Sequence, residues 1–82
     1  MYVIKAIAMH HAFHQDGYLS IGQDLRLKLV ANPRKATHFT TRELADAYAE
    51  SAWEVSNILR RDYPICHIDE LDNAIEEYES YI

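Results

Sequence analysis

The 82-residue chain predicts a small α+β domain in the order β-β-β-α-β-α. The expected architecture is a three- to four-stranded, mainly antiparallel sheet packed by one long helix, with a short acidic C-terminal helix. Three observations predict it. Residues 2–9 form an apolar, β-branched run and residues 25–29 alternate apolar with basic side chains. Residues 41–62 carry a helix-period apolar pattern behind a capping signal. Residues 69–82 combine a second helical stripe with six acids and no base. With 49% hydrophobic residues and only two glycines and two prolines, the chain has the composition of a folded protein. Its length supports one core, so residues 1–82 are read as a single domain.

Tyr2–Met9 reads as a central strand, because both of its alternating faces are largely apolar. Asp16-Gly17 signals a turn, and Tyr18–Ile21 resumes an extended pattern to give a hairpin. Gly22-Gln23-Asp24 turns the chain again. Leu25, Leu27 and Leu29 then alternate with Arg26 and Lys28, the pattern of a half-buried strand. Asn32-Pro33 ends it, since proline lacks the donor a ladder needs.

Thr40 is the expected N-cap of the long helix. Glu43 completes a capping box, and Phe39 and Leu44 form a hydrophobic staple. Arg60 and Arg61 suit the negative end of the helix dipole, and Pro64 enforces the stop. At 100° per residue, Leu44, Tyr48, Ala52, Val55 and Leu59 share a stripe expected to pack on the sheet. Glu43, Asp46, Glu50 and Glu54 line the far side, where like charges repel by a few tenths of a kcal/mol per pair. Trp53 projects well away from the stripe. It is read either as an outer contact residue or as roofed by the C-terminal segment.

Ile65–Ile68 is a short apolar edge strand, and Asp69 is placed to cap the last helix. That helix carries the stripe Leu71, Ile75, Tyr78 and Ile82, with Ala74 and Tyr81 beside it. The stripe is expected to cover the second face of the sheet, or to dock on a partner or a second copy. The formal net charge of -5 is uneven: residues 1–68 hold all eight bases and seven acids. Residues 69–82 hold Asp69, Glu70, Asp72, Glu76, Glu77 and Glu79. This balance predicts no direct nucleic-acid contact through phosphate neutralisation, and favours a basic protein surface instead.

The chemistry-bearing residues are sparse. His10, His11 and His14 are weak metal candidates in an expected loop, where their spacing has no fixed geometry. Cys66 lacks an activating partner, since His67 points to the other side of a strand, so it reads as structural. No phosphate-binding glycine loop or nucleophile-base order stands out, so the chain reads as a non-enzyme without a cofactor. Lys5 interrupts the N-terminal apolar run, which argues against a membrane span or signal peptide. The lone cysteine fits a reducing compartment, and the expected location is the cytoplasm. Of the six tyrosines, Tyr48 is expected in the core, and Tyr18, Tyr63 and Tyr81 at the surface.

Tyr18-Leu19-Ser20 followed by Lys35-Ala36-Thr37-His38-Phe39-Thr40-Thr41-Arg42-Glu43-Leu44-Ala45 resembles a pattern of short proteins encoded by phages and prophages. There an extended hairpin leads into a capped helix, and the resemblance covers about residues 17–50. Such proteins include anti-CRISPR and other anti-defence inhibitors, which this chain also resembles in size, acidity and αβ make-up. The resemblance implies a stoichiometric inhibitor that occupies a protein surface in the host cytoplasm, and it carries over no catalytic residue. The expected partner is a host protein or complex, including a nucleic-acid-binding one. The expected contacts are Trp53, Asp46, Glu50 and Glu54, with Tyr81, Glu76 and Glu77 in the acidic tail. Two other classes compete: a self-associating module that pairs copies through the C-terminal helix, and a metal-binding regulator using His10, His11 and His14.

Overall fold

A computed structural model describes residues 1–10, 15–22 and 26–80. Four strands, β1 (Tyr2–Ile7), β2 (Gly17–Ile21), β3 (Leu27–Val30) and β4 (Ile65–Glu70), form one sheet in the order β3-β2-β1-β4. Every neighbouring pair is antiparallel. Helices α1 (Arg42–Val55) and α2 (Asn57–Asp62) cover one face, and α3 (Leu71–Glu79) covers the other. The predicted α+β class holds with a four-stranded antiparallel sheet, and the element order is matched loosely, with a 3-10 turn at Pro33–Lys35 and two helices where one was expected.

The alternation of β1 builds both cores. Ile4, Ala6 and Ala8 meet the α1 layer, together with Leu19, Phe39, Leu59 and Tyr63. Val3 faces the other way, into a smaller core with Tyr18, Ala36 and Ala74. Strand β2 pairs with β1 only at Lys5–Tyr18 and Ala6–Gly17. Beyond that point residues 37–39 enter the split. Thr37 N–H donates to Leu19 carbonyl, Thr37 Oγ1 accepts from Ile21 N–H, and Phe39 exchanges both backbone bonds with Tyr2. The buried backbone groups of two diverging strands are satisfied in this way. A Cβ on Gly17 would lie 3.1 Å from Leu29 Cβ, tighter than an ordinary contact, so β3 would have to shift by a few tenths of an ångström to admit one.

The expected single helix 41–62 is two helices. Ser56 takes an extended conformation, donates its N–H to Ala52 carbonyl, and caps α2 by accepting from Leu59 N–H at 3.2 Å. Val55, Ser56 and Asn57 all rank low in helix propensity, and serine offers the backbone an alternative partner. The α1 cap is Thr41 rather than Thr40: Thr41 Oγ1 accepts from Leu44 N–H at 3.1 Å.

The buried face of α1 is also rotated from the expected stripe. Ala45, Ala49 and Ala52 face the sheet, whereas Leu44, Tyr48 and Val55 remain 43%, 47% and 77% exposed. Alanines at positions i, i+4 and i+7 bring the helix backbone close to β1 and β4. The larger residues lie at the margin, where Tyr48 packs on Phe39 with ring centroids 5.2 Å apart. Tyr18 and Tyr63, expected at the surface, are buried in the two cores.

Asp69 lies within β4 and does not cap the last helix; Glu70 holds that position without a side-chain cap bond. Leu71 and Ala74 of α3 pack on the second sheet face. Lys5 Nζ donates to Glu77 at 3.1 Å, and Arg34 pairs with Glu79. The last helix therefore closes its own sheet. No described helix is long and apolar enough to cross a membrane.

Candidate functional site

Trp53 sits on α1 at about 75° from the alanine face, on the side toward β4. It is 40% exposed. The alternative in which the last helix roofs it is not what forms, because α3 lies across the sheet. Asp46, Ala49, Glu50 and Trp53 instead line a shallow concavity of about 300 Å³ together with Cys66 of β4. Asp46 and Glu50 belong to the acidic line, and Glu43 and Glu54 continue it on the exposed surface of α1. An indole flanked by two carboxylates can receive a cation against its ring face and pair it with the acids.

Cys66 contributes its position in the strand. Its side chain packs against the α1 core, and burial pushes the thiol pKa up from its ordinary 9.0. It is therefore protonated at neutral pH and a poor nucleophile. Arg42, in the first turn of α1, donates to Ile68 carbonyl at 3.4 Å and lies over the Tyr2 ring at 5.4 Å.

The remaining expected contact residues lie elsewhere. Glu76 and Glu77 are exposed on α3, across the sheet from Trp53, and Glu77 is engaged by Lys5. The two acidic surfaces thus face opposite directions. Tyr81 falls outside the described residues. So do His11 and His14, and His10 is exposed beside them. Among the described residues no group of three or more His, Cys, Asp or Glu side chains is arranged to hold a metal.

Other concavities, among them two beside the cores, lie outside the expected site. One, of about 260 Å³, is apolar and opens between β2–β3 and α2, with Leu19, Leu27, Leu29, Ile58, Leu59 and Tyr63 around it. It exists because α1 sits over β1 and β4 and leaves the β3 side of the sheet thinly covered. The other is polar and lies under α3, where Lys5, Asp16, Tyr18 and Glu77 converge. Burial opposes the Lys5 charge there. The Glu77 hydrogen bond and the neighbouring Tyr18, Glu77 and Asp16 charges outweigh it and raise the Lys5 pKa. Burial also raises the Tyr18 pKa. Neither concavity has a local sequence signature, because strand pairing brings together residues far apart in the chain. Compared with known protein families, curated proteins and solved structures, the chain matches none.

Proposed function

We propose that this protein is a small phage- or prophage-type inhibitor of a host defence system, anti-CRISPR-like, that acts by stoichiometric binding rather than catalysis. Its contact face is Trp53 with Asp46 and Glu50, and Glu54 extends it. The partner is a basic patch on a host protein, of the kind that nucleic-acid-binding effectors carry.

The observation that carries this reading is the meeting of Trp53, Asp46 and Glu50 in one concavity. The acidic line weakens an isolated helix, and a half-exposed tryptophan costs solubility, so fold stability favours neither. Tryptophan is enriched at binding hot spots, and complementary charge speeds encounter with a basic partner. The resemblance of residues 17–50 to small phage-encoded proteins supplies the biological setting.

Plating efficiency tests the proposal. The gene is expressed in bacterial strains carrying defined CRISPR–Cas systems and challenged with a targeted phage. The protein is expected to restore plaque formation in at least one strain, and Trp53→Ala, verified as folded by circular dichroism, is expected to abolish the effect. No restoration in any strain, or undiminished restoration by Trp53→Ala, overturns it.

A further inference from the structure

We infer that the segment this protein captures is an extended, arginine- or lysine-bearing strand that adds to the free edge of β4 beside Trp53. The inference rests on the contact face proposed above and names what occupies it.

Among the described residues β4 ends the sheet, with only one side of its backbone paired. The register fixes which groups remain. Leu71 N–H donates to Met1 carbonyl, in phase with the Tyr2–Glu70 pairing, so residues 65, 67 and 69 bond toward β1. The backbone groups of Cys66, Ile68 and Glu70 therefore point outward. The Arg42 guanidinium agrees with this direction, reaching Ile68 carbonyl from the outer side at 3.4 Å. Because that carbonyl is already engaged, pairing by an added strand begins at Cys66.

The side chains of Cys66 and Ile68 lie on the α1 side of the sheet. A residue of an added strand directly opposite Cys66 projects to the same side, with its Cβ about 5 Å from the Cys66 Cβ. That position overlies the concavity of Trp53, Asp46 and Glu50. Backbone pairing supplies affinity without regard to sequence, and the concavity selects the side chain. An arginine or lysine there stacks on the indole and pairs with the two acids.

Proteins usually blunt an edge with short length, lysine or proline. The other edge follows this rule, since β3 has four residues and carries Lys28. β4 has six residues, Ile65 to Glu70, and its charges, Asp69 and Glu70, lie at its end, so the stretch Ile65–Ile68 after Pro64 carries no acid, lysine or proline. A second copy pairing β4 with β4 would bring together two sets of Asp46, Glu50 and Glu54, in a chain of net charge -5. Charge complementarity favours a basic partner segment instead.

The test uses the full protein, ¹⁵N-labelled, and a blocked synthetic peptide, Thr-Val-Thr-Arg-Thr-Val-Thr. Amide exchange is followed by NMR. The expected result is saturable binding that slows exchange at Cys66 about tenfold when the peptide is held at about ten times its Kd. Replacing the peptide arginine by glutamate is expected to weaken binding by about tenfold. N-methylation along the peptide edge that faces β4 is expected to abolish binding, and along the opposite edge to leave it intact.

Absence of binding overturns the inference. Binding that shifts the Trp53 indole but leaves the Cys66 amide unprotected also overturns it, while the contact face stands. Edge protection that appears without peptide and grows with protein concentration assigns the edge to a second copy and overturns it too. Edge protection unchanged in Trp53→Ala and Glu50→Lys removes the contact face and, with it, the selectivity claimed here.

Discussion

Helix α1 buries its alanines, and this has a consequence opposite to what side-chain hydrophobicity suggests. Ala45 is 0% exposed, against β1 and β4, so Ala45→Leu must push the helix outward or force strained rotamers. Overpacking of this kind costs about 1–3 kcal/mol. For a domain of this size each kcal/mol lowers Tm by about 4–8 °C, so the expected loss is about 4–24 °C. Val55→Ala is the matching control. If Val55 lay in the core, losing two methyl groups would cost about 1.6 kcal/mol in transfer free energy. At 77% exposure it loses little, and alanine is the better helix former, so the expected change stays within about 0.5 kcal/mol of zero. Thermal and urea unfolding followed by far-UV circular dichroism measure both. A Val55→Ala variant less stable than Ala45→Leu would refute the placement of α1.

Three further outcomes are expected. Thr41→Ala and Ser56→Ala should each cost about 1 kcal/mol by removing a helix cap, while Thr40→Ala changes little; equal losses at 40 and 41 would contradict the cap assignment. The pKa values of Cys66, Tyr18 and Lys5 are all raised in the folded state, so between the unfolded and folded values the native state holds more protons. Stability is then full below about pH 9 and falls as pH rises past that point through the raised values, and a Tm that holds or climbs over that rise would contradict the three environments. The Lys5–Glu77 pair is partly solvated, so a double-mutant cycle of Lys5→Met and Glu77→Gln should give a coupling of about 0–1 kcal/mol that shrinks with salt. A coupling well above that range would show a drier contact under α3.

The strands, the stop at Pro64 and the amphipathic last helix were legible in the sequence, because alternation, proline geometry and helix period are local properties. The apolar period runs straight through Ser56, and only its extended conformation ends α1. The buried helix face differs from the expected one for another reason. Summed hydrophobicity favours Leu44, Tyr48 and Val55, whereas close approach to a sheet favours small residues. The burial of Tyr18 and Tyr63 is not a local property: Ala74 of α3 packs in the core with Tyr18, and Tyr63, which caps the end of α2, joins the core on the α1 side. At the candidate site, helical spacing groups Asp46 with Glu50, whereas Trp53, expected well away from the core stripe, lies about 75° from the alanine face because the buried face is rotated toward it. The contribution of Cys66, and the open edge beside it, required the pairing of β4 with β1, which no local pattern encodes.

The two acidic surfaces lie on opposite sides of the sheet, so one comparison separates them. Glu50→Lys reverses charge beside Trp53, and Glu76→Lys reverses it on α3, both at exposed positions. Plating efficiency of a CRISPR-targeted phage on a strain in which the parent protein restores plaque formation is the direct measurement. Glu50→Lys is expected to abolish that restoration and Glu76→Lys to retain it. Retention by Glu50→Lys with loss by Glu76→Lys would contradict the account.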